Sequence, residues 1–295
     1  MLVRVRRYNT SRRDWDPPSV TTVLYLTEVY KMKKPIVFFD IDGTLLNDEK
    51  KIPDSTKKAV RLLQEQGIHT VIATGRVPNM FYWIQKELKI DSYVAMNGQY
   101  VVFEGKEIFS NPINPEMLHT LTTMTANNGH ALAYCSHLDY KVSKSNHPFI
   151  EAGFDSLMMP YPEVDKEYYI HLPIYQGHLY CNRKDAQMYF DQFTDFNFVK
   201  WHDNAYDILP KGASKAVGIS KMLEILDINK EDSFAFGDGL NDLEMLTMVG
   251  TGVAMGNAVP EAKAAANVIT TSSSNDGILN GLIQVGLLDT NLALI

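Results

Sequence analysis

The run Ile36-Val37-Phe38-Phe39 is apolar at every position, and therefore on both faces of a strand, yet it is too short for a helix. That pattern predicts a central strand of a parallel sheet, covered from both sides. His69 to Ala73, Ser92 to Met96 and Ser233 to Phe236 are further β-rich runs, and Gly252 to Met255 and Asn267 to Thr270 supply two shorter ones. Between the first two strands, Pro53 to Gln66 sets Ala59, Val60, Leu62 and Leu63 among charges, which predicts an amphipathic helix with Asp54 or Ser55 as N-cap and Gly67 as its stop. Pro78 to Leu88 reads as helical. Lys211-Gly212-Ala213-Ser214-Lys215 precedes another helix, with Val217, Ile219, Met222, Leu223 and Leu226 on or near one face. Strands alternating with helices imply an α/β fold with a doubly wound, Rossmann-like parallel-sheet core.

The pattern changes between about Asn111 and Tyr206. Six prolines break this stretch, aromatics are dense, and strand-like runs such as Tyr168 to Tyr175 alternate with helix-like ones such as Asp185 to Phe193. The expected organisation is a core from residues 32–110, an inserted α+β domain over 111–206, and a return to the core at 207–295. Residues 1–31 do not match the rest: Met1 to Trp15 carries five arginines, and Pro17-Pro18 follows. No apolar stretch with a small-residue cleavage site is present there, which argues against a secretory signal; an organellar transit peptide is one other reading. Met32 opens a more natural start, so 1–31 are expected to be a disordered or non-native extension.

Composition narrows the class. Of 295 residues, 45% are hydrophobic, enough for ordinary globular cores, and the apolar runs stay far short of the roughly 20 residues that cross a bilayer. The net charge of −7 disfavours nonspecific nucleic-acid binding, which depends on neutralising phosphates. Cys135 and Cys181, the only cysteines, lack metal-ligand spacing and read as reduced packing residues, in keeping with a cytoplasmic protein.

The chemistry lies where the strands end. Asp40-Ile41-Asp42-Gly43-Thr44 follows the first strand, Thr74-Gly75-Arg76 the second, and Gly237-Asp238-Gly239-Leu240-Asn241-Asp242 the fourth, with Lys215 at a helix start. Ligands of doubly wound sheets bind at the carboxyl ends of strands. A turn-forming role for Asp40 and Asp42 is the plain alternative, but two carboxylates after a wholly apolar strand have no packing use. DxDGT, a strand ending in Thr-Gly-Arg, a lysine and GDGxND, in this order, resemble the haloacid dehalogenase-like superfamily, specifically its Cof-type (subfamily IIB, C2B-capped) phosphatases. The resemblance runs from about Lys33 to the C-terminus and makes the insert a cap over the site.

The resemblance implies a Mg²⁺-dependent phosphatase of small phosphorylated metabolites such as sugar phosphates, nucleotides or phosphorylated cofactors. Asp40 would attack phosphorus to give an aspartyl-phosphate, and Asp42 would serve as acid and then base, which requires a raised pKa that a neighbouring carboxylate can supply. Gly43 lets the chain turn while Thr44 stays near the site. Asp40, Asp238 and the backbone carbonyl of Asp42 would hold the ion, with Asp242 farther out. Thr74, the following Gly75 N–H and Asn241 would bind the transferring oxygens, and Lys215, favoured over Lys211 by family spacing, would add a fixed charge. Arg76 fits a structural ion pair as well as a phosphate ligand. Asn97 and Asn257 lie in turns expected to face the cleft. The expected partner is a small phosphate ester, with no nucleic acid and no membrane, on a monomer or small homo-oligomer. A phosphomutase and a noncatalytic phosphometabolite sensor are the alternatives on this scaffold.

Overall fold

A computed structural model describes residues 34–157 and 159–290; the expected extension at 1–31 lies outside them. The core begins with β1 (Ile36–Phe39), α1 (Asp54–Glu65), β2 (His69–Ala73), α2 (Pro78–Leu88), β3 (Tyr93–Ala95), β4 (Tyr100–Phe103) and β5 (Lys106–Ser110). The inserted unit contributes α3 (Pro115–Asn127), β6 (Ala131–Cys135), β7 (Tyr140–Val142), α4 (Pro148–Ser156), α5 (Tyr168–His171), β8 (Gln176–Tyr180), α6 (Arg183–Gln192), β9 (Phe196–His202) and β10 (Ala205–Pro210). The core then resumes with α7 (Lys215–Leu226), β11 (Ser233–Gly237), α8 (Leu243–Met248), β12 (Thr251–Ala254), α9 (Pro260–Ala265), β13 (Val268–Ile269) and α10 (Gly277–Gln284).

Eight strands form the core sheet in the order β13-β12-β11-β1-β2-β3-β4-β5. All pairings from β13 to β3 are parallel, while β4 pairs antiparallel with both β3 and β5. All four residues of β1 are fully buried, as an apolar central strand requires, each side chain contributing about 1.5–3 kcal/mol of hydrophobic stabilisation. The chain winds outward from β1 in both directions, through β2 and β3 on one side and β11 and β12 on the other. The carboxyl ends of β1 and β11 therefore flank the point where strand order reverses, the place where such sheets form a ligand crevice.

The inserted unit has its own five-stranded antiparallel sheet, ordered β7-β6-β8-β10-β9. Alternation along β6 and β8 gives it two apolar faces. Leu132, Tyr134, Leu179 and Cys181 pack with α3 and α6 on one side, and Ala131, Ala133 and Tyr180 pack with α4 on the other. Two expectations need correction. The division at 206/207 falls inside β10, whose pairing with β8 and β9 carries the second sheet on to Pro210. Tyr168 to Tyr175 is not a strand: Tyr168–His171 forms a helical turn, and the strand begins at Gln176. Tyr and Ile favour strands in general, but here Tyr168 is anchored through its hydroxyl to Ser136, and local packing overrides that preference.

Candidate active site

Asp40 continues the β1 ladder by one residue, its N–H donating to the Phe236 carbonyl of β11 at 3.0 Å. This fixes its carboxylate at the strand tip. Beyond it the chain folds back, with Leu45 N–H on the Asp40 carbonyl and Leu46 N–H on the Ile41 carbonyl. Gly43 allows that return. It stands at φ 76°, and a β-carbon there would overlap the Asp238 carboxylate.

Lys215, the first residue of α7, is buried with its ammonium between two carboxylates. Nζ donates to Asp40 Oδ1 at 2.5 Å and to Asp242 Oδ1 at 2.6 Å. Asp242 Oδ2 accepts from the Asp238 and Gly239 N–H groups, each at 2.9 Å, so its hydrogen bonds stiffen the Gly237-Asp238-Gly239 turn. Thr44 Oγ1 donates to Asp238 Oδ1 at 3.0 Å. Asn257 Nδ2 donates to the Gly43 carbonyl at 2.8 Å and lies 3.4 Å from Asp238 Oδ2, tying the loops after β1 and β12 together.

Asp40, Asp238 and Asp242 each offer an oxygen within 4.8 Å of the others. Burial beside neighbouring carboxylates disfavours the charged forms of Asp40 and Asp238. Burial pushes Asp40 up to about 8; Lys215 pulls against this, while Asp242 and Asp238 add to it. Burial and Asp242 push Asp238 up to about 6. Burial alone would make Lys215 easier to deprotonate, but Asp242 and Asp40 outweigh it and hold the ammonium charged. These oxygens could hold a divalent cation. Both Asp242 oxygens are already engaged by Lys215 and the turn N–H groups, whereas Asp40 Oδ2 accepts no hydrogen bond among the described residues and is open to an ion.

Asp42 departs from expectation. Its side chain turns away from the triad to meet Arg76, with Nε donating to Oδ2 at 2.8 Å and Nη2 to Oδ1 at 2.7 Å, and Lys50 Nζ donates to Oδ1 at 2.8 Å. Burial would raise its pKa, but Arg76 and Lys50 outweigh burial and hold it below the usual carboxylate value. The raised pKa expected from a neighbouring carboxylate is therefore not found: the nearest charges are cations. Lys50 was not legible as a partner, being one of several charges in a surface loop. Arg76 proves to be an ion-pair residue in this arrangement.

Thr74 and Gly75 follow β2 beside β1, with Thr74 Oγ1 accepting from the Arg76 N–H at 3.1 Å. Lys211 is exposed and Lys215 occupies the site. Asn241 is exposed, and its side chain makes no hydrogen bond among the described residues. Asn97 is buried in the turn after β3 and reaches the inserted unit through Gln176, a residue to which nothing in the sequence pointed.

Comparison with known proteins identifies the family and the fold. A family model described as haloacid dehalogenase-like hydrolase matches residues 37–282. A Bacillus subtilis (strain 168) protein named "Putative phosphatase YkrA" is 42% identical over 257 residues, 87% of this chain and 100% of that one. The crystal structure of a hypothetical protein from Geobacillus kaustophilus HTA426, 47% identical, matches with a TM-score of 0.84 over 87% of this chain and 100% of the other. The HAD subclass IIB sugar phosphatase BT4131 is 28% identical, with a TM-score of 0.74 over 86% of this chain and 100% of its own.

Proposed function

The chain belongs to the haloacid dehalogenase-like hydrolase family, and on that premise we propose that it is a Mg²⁺-dependent phosphatase of small phosphorylated metabolites, acting through an aspartyl-phosphate on Asp40. The observation that carries this reading is the convergence of Asp40, Asp238 and Asp242 on one point, with Lys215 buried among them. An all-oxygen donor set suits Mg²⁺, which takes one or two carboxylates together with substrate phosphate. Bound at Asp40 and Asp238, the ion would supply positive charge that offsets the phosphoryl oxygens and favours the ionised form of Asp40.

The chain's own groups divide the remaining work. An Asp40 oxygen attacks phosphorus, and the bond from phosphorus to the ester oxygen breaks. Asp42 gives its proton to the departing oxygen, then takes one from a water that attacks phosphorus and releases phosphate from Asp40. Asp42 is held ionised by Arg76 and Lys50 in this arrangement, so it must leave those cations, or exchange them for the substrate's phosphoryl group, before it can act as an acid. Thr74 and the Gly75 N–H offer hydrogen bonds to the transferring oxygens, and Lys215 holds Asp40 in its attacking position.

We assign residues 111–210 as the cap, which limits access to small leaving groups. The similarity to a sugar phosphatase favours sugar phosphates as the first substrates to try. No helix among the described residues is long and apolar enough to cross a membrane. The buried, unpaired Cys135 and Cys181 support a reducing, cytoplasmic setting. The test is phosphate release from a panel of sugar phosphates, nucleotides and phosphorylated cofactors, with Mg²⁺ and with EDTA, using Asp40→Asn as the blank. Metal-dependent release absent from the blank is expected; release that persists in the blank would remove Asp40 as nucleophile.

A further inference from the structure

The turn Met96-Asn97-Gly98 is built against its own backbone preferences. Its three residues follow one another at φ 49°, 52° and 90°. Glycine accepts that left-handed path and asparagine tolerates it, but methionine adopts it only at a cost. Such strain persists where the surroundings over-determine it, and here three sets of contacts do so. The first is the loop after β2: Asn97 N–H donates to the Thr74 carbonyl at 3.1 Å and Met96 N–H to the Arg76 carbonyl at 3.2 Å. The second is α7, since Gly98 lies so close to the carbonyl of Ser214, the residue before Lys215, that a β-carbon would overlap it.

The third is the inserted unit. Asn97 Nδ2 donates to Gln176 Oε1 at 3.1 Å, and Gln176 Nε2 donates to the Gly75 carbonyl at 3.3 Å. On the inserted sheet, His178 sits directly across from Asp207 and two residues along β8 from Gln176. Its Nε2 lies 3.1 Å from Gln176 Nε2 and 3.5 Å from Asp207 Oδ1, so all three side chains form one buried polar group on the underside of that sheet.

Every carbonyl of Thr74-Gly75-Arg76 is thus held, two by the strained turn and one by Gln176. In a planar trans peptide the carbonyl and the following N–H point in opposite directions. Fixing the Thr74 carbonyl on Asn97 therefore turns the Gly75 N–H away from the turn, and that N–H has no partner among the described residues. We propose that Asn97 is a positioning residue that links docking of the inserted unit, through Gln176, to the orientation of the Gly75 N–H and the seating of the Lys215 helix. This rests on the reading of the site as a phosphoryl-transfer centre and adds to it the means by which closure and alignment become one event.

The experiment compares the full-length chain with Asn97→Gly, Gln176→Leu and the double variant. Asn97→Gly keeps a residue at ease with the left-handed backbone and deletes only the amide. Hydrogen exchange over peptides covering 74–76 and 214–218 is read beside kcat and KM on the best ester of the substrate panel. The expected result is faster exchange at 74–76 in both single variants, an unchanged unfolding midpoint, and a kcat lowered by about 10-fold or more, as misplacement of a binding group produces. The double variant should be no worse than the poorer single, because both deletions cut the same connection. Unchanged exchange at 74–76, strictly additive losses, or exchange raised evenly along the chain with a lowered midpoint would each overturn the proposal. Should Gln176→Leu fail to fold, Gln176→Met, which keeps the unbranched length of the side chain and deletes its amide, is read in the same way. A wild-type chain that releases no phosphate from any compound would sink the phosphatase reading alone, since the exchange measurement still decides the coupling.

Discussion

At the carboxyl end of the parallel sheet, Asp40, Asp242 and Lys215 are buried against one another, with Asp238 half-buried beside them. On the underside of the inserted sheet, Gln176, His178 and Asp207 are buried as well, yet they are arranged differently. In the core a buried ammonium is kept: Lys215 stays charged because Asp242 and Asp40 outweigh the cost of burial, while burial and the neighbouring carboxylates push Asp40 itself up to about 8. In the insert burial acts without a countering charge, driving His178 down to about 4 and Asp207 up to about 7. Nearly neutral hydrogen-bonding groups suit a surface that docks and releases. Three carboxylates around one ammonium suit a divalent cation, whose arrival relieves the crowding.

The sharpest way to break this contrast is to remove charge from the core. Asp40→Asn should lower turnover by roughly 10⁴-fold or more, as loss of a nucleophile does, with the fold retained by circular dichroism; turnover within tenfold of wild type would contradict it. Lys215→Met should cost both activity and about 3–5 kcal/mol of stability, because it leaves buried carboxylates without their partner. Denaturant unfolding of the metal-free protein measures that loss, and an unchanged midpoint would show that the ion pair adds little. Gly43→Ala acts more locally. Its β-carbon would displace the Asp238 carboxylate, and titration calorimetry should show Mg²⁺ affinity weakened by about 10–100-fold.

Acidity sharpens the comparison further. Asp40 and Asp207 have folded-state pKa values of about 8 and 7, above the ordinary 3.8. A group raised on folding contributes stability that is complete below its unfolded pKa and lost as pH climbs through the folded one. His178, lowered from 6.5, works the other way, losing stability as pH falls below 6.5. Between about pH 6.5 and 8 the carboxylates alone should act, so the metal-free chain should melt at progressively lower temperature across that window. Mg²⁺ should stabilise more strongly at the upper end, where binding displaces fewer protons. A melting temperature flat across this window in EDTA would mean that Asp40 is ionised throughout.

The same contrast governs how much of the molecule could be read from its residues. β1 announced itself because a strand covered on both sides is apolar throughout, and β2 through the β-branched and apolar run Thr70 to Ala73; the polar clusters that follow them stood out by contrast. The inserted strands carry Gln176, His178 and Asp207 on one face, so their polar residues look like surface positions until the docking partner is known. Helix α1 begins one residue inside Pro53, which itself serves as the N-cap position, and neither Asp54 nor Ser55 caps it. The Asp42 environment was out of reach because Arg76 lies 34 residues away in sequence and meets it only through the β1–β2 pairing. That pairing gives the smallest-effect test. Arg76→Gln should raise the Asp42 pKa and move the corresponding limb of the pH–rate profile upward; an unmoved limb would mean that Asp42 is not the group observed.

The central claim is that Asp40 carries the phosphoryl group between ester and water. The most direct measurement is an acid quench of the enzyme during turnover, followed by mass spectrometry of its peptides. A phosphoryl adduct on the peptide containing Asp40, formed and consumed at the rate of turnover and absent in Asp40→Asn, is the predicted result. Steady phosphate release with no adduct on that peptide at any time, while the quench preserves a control acyl phosphate, would contradict it.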